Sequence, residues 1–98
     1  MERVFISQPM FGKTNDEIRK ERAYLVEKLE KEGYKVVDSI IAETPEEAFN
    51  EPVFYMSQSI LLLSKSDCIY FMDGWDKARG CKIEHEIAKA YEIPILKD

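Results

Sequence analysis

Four short apolar runs punctuate this chain, at Arg3–Ser7, Tyr34–Asp38, Cys68–Met72 and Ile93–Leu96, and each gap between them can hold a helix. That alternation leaves few folds open. Parallel strands need a crossover of a dozen residues or more, and the crossover is almost always right-handed. Strands alternating with helices therefore predict an α/β fold, a small doubly wound (Rossmann/flavodoxin-like) four-stranded parallel sheet with helices on both faces. The first run is rich in apolar and β-branched residues, which suits a central strand buried on both sides. Pro94 removes a backbone donor near the start of the last run and assigns that strand to a sheet edge.

The helices are marked by their ends. Gln8–Lys13 reads as a loop, broken by Pro9 and Gly12. Thr14 and Glu17 have capping-box spacing, so a helix is predicted from Asn15 to about Glu32, closed by Gly33. Ile18, Ala23, Tyr24, Leu25, Val26 and Leu29 form its expected apolar side, and the Glu, Lys and Arg positions its solvent side. Asn50 and Pro52 suit the cap and first turn of a second helix, with Val53, Met56, Ile60 and Leu63 at near-helical spacing. A third helix is expected over about Gly80–Tyr91. Ser39–Asn50, with its polar run ETPEEAFN, is compatible with a loop, a short helical turn or a mobile lid.

Ninety-eight residues make one domain, residues 1–98. The net charge of −5, with Lys and Arg scattered, argues against a nucleic-acid surface. Ile60–Leu63 is far too short to span a bilayer, and no signal peptide precedes the first strand, so a cytoplasmic protein with no membrane partner is expected. Cys68 and Cys81 lack a CxxC spacing, and the lone His85 completes no metal-ligand pattern. Two free thiols, no metal and no cofactor are expected. A chain this short has a modest core, so self-association into a homo-oligomer is expected to cover edges or complete a site.

In open parallel sheets ligands sit at the carboxyl ends of the strands, so the loops there hold the candidate residues. Gly12-Lys13-Thr14 resembles part of a phosphate loop, but Ser7 stands where that motif needs its first glycine. The amides around Gly12 can still hold a ribose or a monophosphate with Lys13 as counter-charge; the alternative is a tight turn with a solvated lysine. Asp38 closes the second strand without a GxGxxG fingerprint and reads as a strand-end or capping residue; the alternative is a carboxylate lining the pocket. Asp73 lies just past the third strand and can point into the crevice, where Gly74 permits close backbone approach. Trp75 either stacks on a ring or covers the sheet edge. Asp76 either lines the crevice, caps the last helix or pairs with Arg79. Glu84, one turn into that helix, is the residue singled out. Helix dipole and backbone donors are expected to favour its ionised form, which suits a nucleophile at a sugar carbon. Otherwise it is an exposed first-turn glutamate. His85, the only histidine, suits a base or a buried polar contact, with the surface as its default place.

The segments VFISQPMFGKTNDEI and SDCIYFMDGWDKARGCKIEHEIAKAYEIPIL together resemble the nucleoside 2-deoxyribosyltransferase-like superfamily, most closely its small DUF4406-type branch, often found in bacteria and phages. The likeness covers nearly the whole chain outside Ser39–Glu51. In that superfamily a Gly-x-x-x-Glu-x-x-x-Ala pattern supplies the catalytic glutamate. Here the pattern is Gly80, Glu84 and Ala88, and the resemblance implies Glu84 as nucleophile with Asp73 as its acidic partner. It implies that Gln8, Pro9 and Met10 line the pocket. Ser7, Gly12, Lys13, Trp75, Asp76, Arg79 and Gly80 complete the expected substrate-binding set. Arg79-Gly80-Cys81 leading to Glu84 is also faintly similar to the Gly-Thr-x-x-Glu motif of the "lonely guy" phosphoribohydrolases, which break the same kind of bond. Two departures stand out. Phe5 occupies the place of a tyrosine, and Ala78 the place of an aspartate.

The function expected from this resemblance is cleavage or transfer at the N-glycosidic bond of a (deoxy)nucleoside or nucleoside 5′-monophosphate, a small-molecule partner. Phe5 and Ala78 favour an alternative, a nucleotide-binding module without chemistry. A small structural or interaction protein, with Phe71, Trp75 and Tyr91 at an interface, is the third reading.

Overall fold

A computed structural model describes residues 1–41 and 50–98; most of the Ser39–Asn50 segment, whose form the sequence left open, lies outside the described residues. Strands β1 (Arg3–Ser7), β2 (Lys35–Val37), β3 (Cys68–Phe71) and β4 (Ile95–Lys97) alternate with helices α1 (Asn15–Lys31), α2 (Glu51–Leu63) and α3 (Arg79–Ala90). All strand pairs are parallel and the order is β2-β1-β3-β4. The fold is the doubly wound sheet that the alternation predicts. β4 is an edge strand, as Pro94 requires, although it begins two residues later than the apolar run because Ile93 and Pro94 still turn away from α3.

Strand geometry sorts the core into two halves. Successive side chains leave a strand on opposite faces, so Val4, Ile6 and Cys68 pack with Leu25 and Leu29 of α1. Phe5, Ile69 and Phe71 pack on the other side with Leu63 of α2 and Ala88 of α3. Both halves are closed by buried aliphatic and aromatic groups, the main source of stability in a domain of this size.

The caps behave as their sequences dictate. Thr14 accepts from the Glu17 amide at 3.1 Å while the Glu17 carboxylate takes the Thr14 amide at 3.0 Å. Gly33 follows the last turn with φ +96°, a left-handed conformation that suits glycine. Asn50 caps α2 through the Val53 amide, with Pro52 in the first turn.

Two expectations about helix faces are corrected. Ala23 and Tyr24 of α1 are exposed, and the inward positions are Ile18, Arg22, Leu25 and Leu29. The spacing of four, three and four residues along those positions is that of one helical stripe, and an arginine occupies one place in it. In α2 only Leu63 is buried. Val53 and Ile60, expected inside, are exposed, as are Tyr55 and Leu61. No described helix is long and apolar enough to cross a membrane.

Candidate functional site

β1 sits at the centre of the sheet. The chain leaves it through α1 to reach β2 on one side and later returns to β3 on the other. The carboxyl ends of β1 and β3 therefore flank the topological switch point, where open α/β sheets bind ligands. Ser7 and Phe71 are the last paired residues there, and the Met72 amide bonds the Ser7 carbonyl at 2.9 Å.

Glu84 is brought to this point. Ser7 shares a face with Phe5 and looks toward α3, where its Oγ donates to Glu84 Oε1 at 2.6 Å. Glu84 is 6% exposed. It is the sixth residue of α3, beyond the free amides of the first turn, and the helix has no side-chain cap at Ala78. The expected effect of dipole and backbone donors is thus overturned. Burial raises the carboxyl pKa to about 7, against a smaller lowering by the Ser7 hydrogen bond. Cys81, one turn earlier, is a buried free thiol that burial pushes up to about 11. Burial thus favours the neutral thiol over the nucleophilic thiolate at neutral pH.

On the opposite face of the same strand end, Gln8 is buried between β1 and α1. Its Nε2 donates to the Ile18 carbonyl at 3.1 Å, and its Oε1 accepts from Arg22 Nε at 2.8 Å. Ser39, just past β2, donates to the Ile6 carbonyl at 3.1 Å. Ser7, Gln8, Arg22, Ser39 and Glu84 are the buried polar residues among those described, and all lie around the carboxyl ends of the central strands. Arg22 and Ser39 were not among the sequence candidates. The stripe spacing from Ile18 to Leu29 was the signal that would have found Arg22.

The remaining candidates are looser. Pro9 and Met10 are half-buried in the first loop, and Pro9 approaches Gly74 across the crevice. Gly12 has φ +78° in an exposed turn, where the Lys13 amide bonds the Met10 carbonyl. Lys13 pairs with Glu21 at 2.9 Å. Asp73 is turned outward: its side chain is 100% exposed and its Oδ1 lies 3.1 Å from Lys97 Nζ. Among the described residues no hydrogen bond joins it to Glu84. Asp76 sits in a 3₁₀ turn at Trp75–Lys77 and neither caps α3 nor pairs with Arg79, which is exposed. A Cβ at Gly80 would meet Met56 Cε at 3.2 Å, so this glycine marks the close approach of α2 and α3. Trp75 stacks on His85 with centroids 4.2 Å apart and tilts against Phe71. His85 is not a free surface residue: it is half-buried, and its Nε2 lies 3.0 Å from Asp98. Asp38 caps its own strand end through the Ile40 amide and pairs with Arg19 at 3.4 Å, as a strand-end residue should.

The described residues thus form a doubly wound parallel sheet with a buried carboxyl at its switch point. The chain belongs to the family described as a domain of unknown function (DUF4406), which matches residues 2–97. No match was found among the curated proteins or the solved structures.

Proposed function

We propose that this protein cleaves, or transfers across, the N-glycosidic bond of a nucleoside or nucleoside 5′-monophosphate, with Glu84 as nucleophile. The observation that carries the reading is the Ser7–Glu84 hydrogen bond, which fixes a buried carboxyl at the switch point. The likeness of Gly80, Glu84 and Ala88 to the nucleoside 2-deoxyribosyltransferase-like pattern points to the same residue. In the reaction the Glu84 carboxylate bonds the anomeric carbon as the carbon–nitrogen bond breaks, and that electron pair leaves with the base. A proton reaches the departing base from Asp73 or from solvent. Water then attacks the glycosyl ester in a hydrolase, or a second base in a transferase, and Glu84 is released.

Asp73 reaches this chemistry only by leaving Lys97, and its present outward position favours a second reading, a nucleotide-binding module without turnover. Base release separates the two. Purified protein is incubated with ribo- and deoxyribonucleosides and their 5′-monophosphates, with and without an acceptor base, beside Glu84→Gln. Release that vanishes in the variant supports the enzyme. Binding without release across the panel supports the module.

We also read the molecule as a cytoplasmic homo-oligomer that associates through α2. Glu51 is the only charged residue among its thirteen, so two copies can face one another along it without burying opposed charges.

A further inference from the structure

The buried polar cluster extends past Glu84 to the other face of β1, and there it is incomplete. Ser7 and Gln8 are consecutive, so their side chains leave the strand end in opposite directions, toward α3 and α1. Gln8 holds Arg22 by a single bond, from Nε to Oε1. Arg22 is 4% exposed, and its Nη2 is buried with no hydrogen-bond partner among the described residues. Asp38 tends to keep the guanidinium charged against the effect of burial, yet that carboxylate is exposed and already engaged by the Ile40 amide and Arg19.

Buried polar groups in folded proteins are nearly always paired. A guanidinium offers five donors in a planar fork whose geometry matches the oxygens of a phosphate. One edge of this fork is committed to Gln8 while an outer nitrogen, shielded from water, is left without an acceptor. We propose that Arg22 is the anion-binding residue of the switch-point site, holding a phosphate group of the ligand from the α1 side while the rest of the ligand extends toward Glu84 on the α3 side.

The inference rests on the nucleoside reading of the site and narrows it, since the substrate becomes a nucleoside 5′-monophosphate rather than a neutral nucleoside. It also moves the phosphate contact away from Lys13, which is tied to Glu21 at the surface.

The test is a calorimetric titration of wild type, Arg22→Met and Glu84→Gln with deoxynucleoside 5′-monophosphates, their parent nucleosides and inorganic phosphate. Wild type is expected to bind at least one monophosphate about tenfold or more tightly than its nucleoside, as one charge-assisted hydrogen bond provides. Inorganic phosphate should compete, Arg22→Met should erase the preference, and Glu84→Gln should keep it. Equal binding of monophosphate and nucleoside by wild type, or a preference that survives in Arg22→Met, overturns the proposal. Where Arg22→Met does not fold, the guanidinium resonances of Arg22 in nitrogen-15 spectra of wild type decide. They shift on addition of inorganic phosphate if the proposal holds, and stay in place if it does not. Phosphate bound through Arg22 with no nucleoside or nucleotide affinity would sink the nucleoside reading and leave the anion site standing. Base release from neutral nucleosides and their monophosphates with equal efficiency would do the reverse.

Discussion

Two opposing effects act on Glu84: the Ser7 hydroxyl favours its anion, and burial disfavours the anion more strongly. The folded carboxyl titrates near 7 and the unfolded one near its ordinary 4.5. Between those values the folded state binds the extra proton, so stability falls as pH rises from about 4.5 to above 7. A shift of this size is worth about 3 kcal/mol. Glu84→Gln keeps an acceptor for Ser7 and has no charge to desolvate. Denaturant melts at several pH values should show its stability relative to wild type improving by about 3 kcal/mol between pH 4.5 and pH 8. A pH-independent difference would mean that the carboxyl is solvated. Ser7 is the second handle. Ser7→Ala removes the bond that favours the anion, so the ascending limb of the pH–rate profile, expected near 7, should move to higher pH. An unmoved limb would separate Ser7 from the ionisation of Glu84, the proposed nucleophile. Arg22 shows why one buried polar residue escaped the sequence. Residue type argues that an arginine faces water, and only its spacing from Ile18, Leu25 and Leu29 argues that it does not.

Elements were more legible than faces. The capping box at Thr14, the cap at Asn50 and the edge position of the last strand follow from local chemistry that needs no tertiary partner. The depth of Glu84 within α3 was less visible, because the helix begins at Arg79 and places the carboxyl on its sixth residue, past the free amides of the first turn. The apolar content of α2 was legible, but which of its residues the monomer would bury was not, since that depends on how the helix lies on the sheet. Its exposed Val53, Tyr55, Ile60 and Leu61 make a prediction at this scale. Light scattering on wild type should give a mass above 11.5 kDa, and Ile60→Glu with Leu61→Glu should reduce it to the monomer with little change in far-ultraviolet dichroism. A monomeric wild type would remove α2 as an interface.

For the whole molecule, the winding of the sheet is what turns scattered sequence positions into a site. Ser7 and Glu84 are far apart in sequence and meet because α3 crosses behind the end of β1. Gln8 and Arg22 meet because α1 crosses in front. Right-handed crossovers put those helices on opposite faces, so a carboxyl and a guanidinium approach the same strand end from two sides. The alternation of strands and helices made this arrangement readable in outline. Which loop residues would turn inward was not, because loop side chains lack the periodicity that marks strand and helix faces. Asp73 and Lys13 instead found surface partners in Lys97 and Glu21. The most direct test of the glycosidic chemistry is base release from nucleosides and their 5′-monophosphates by wild type and Glu84→Gln. Free base released by wild type and lost in the variant is the predicted result; release undiminished in the variant, or none from any substrate by folded wild type, would contradict it.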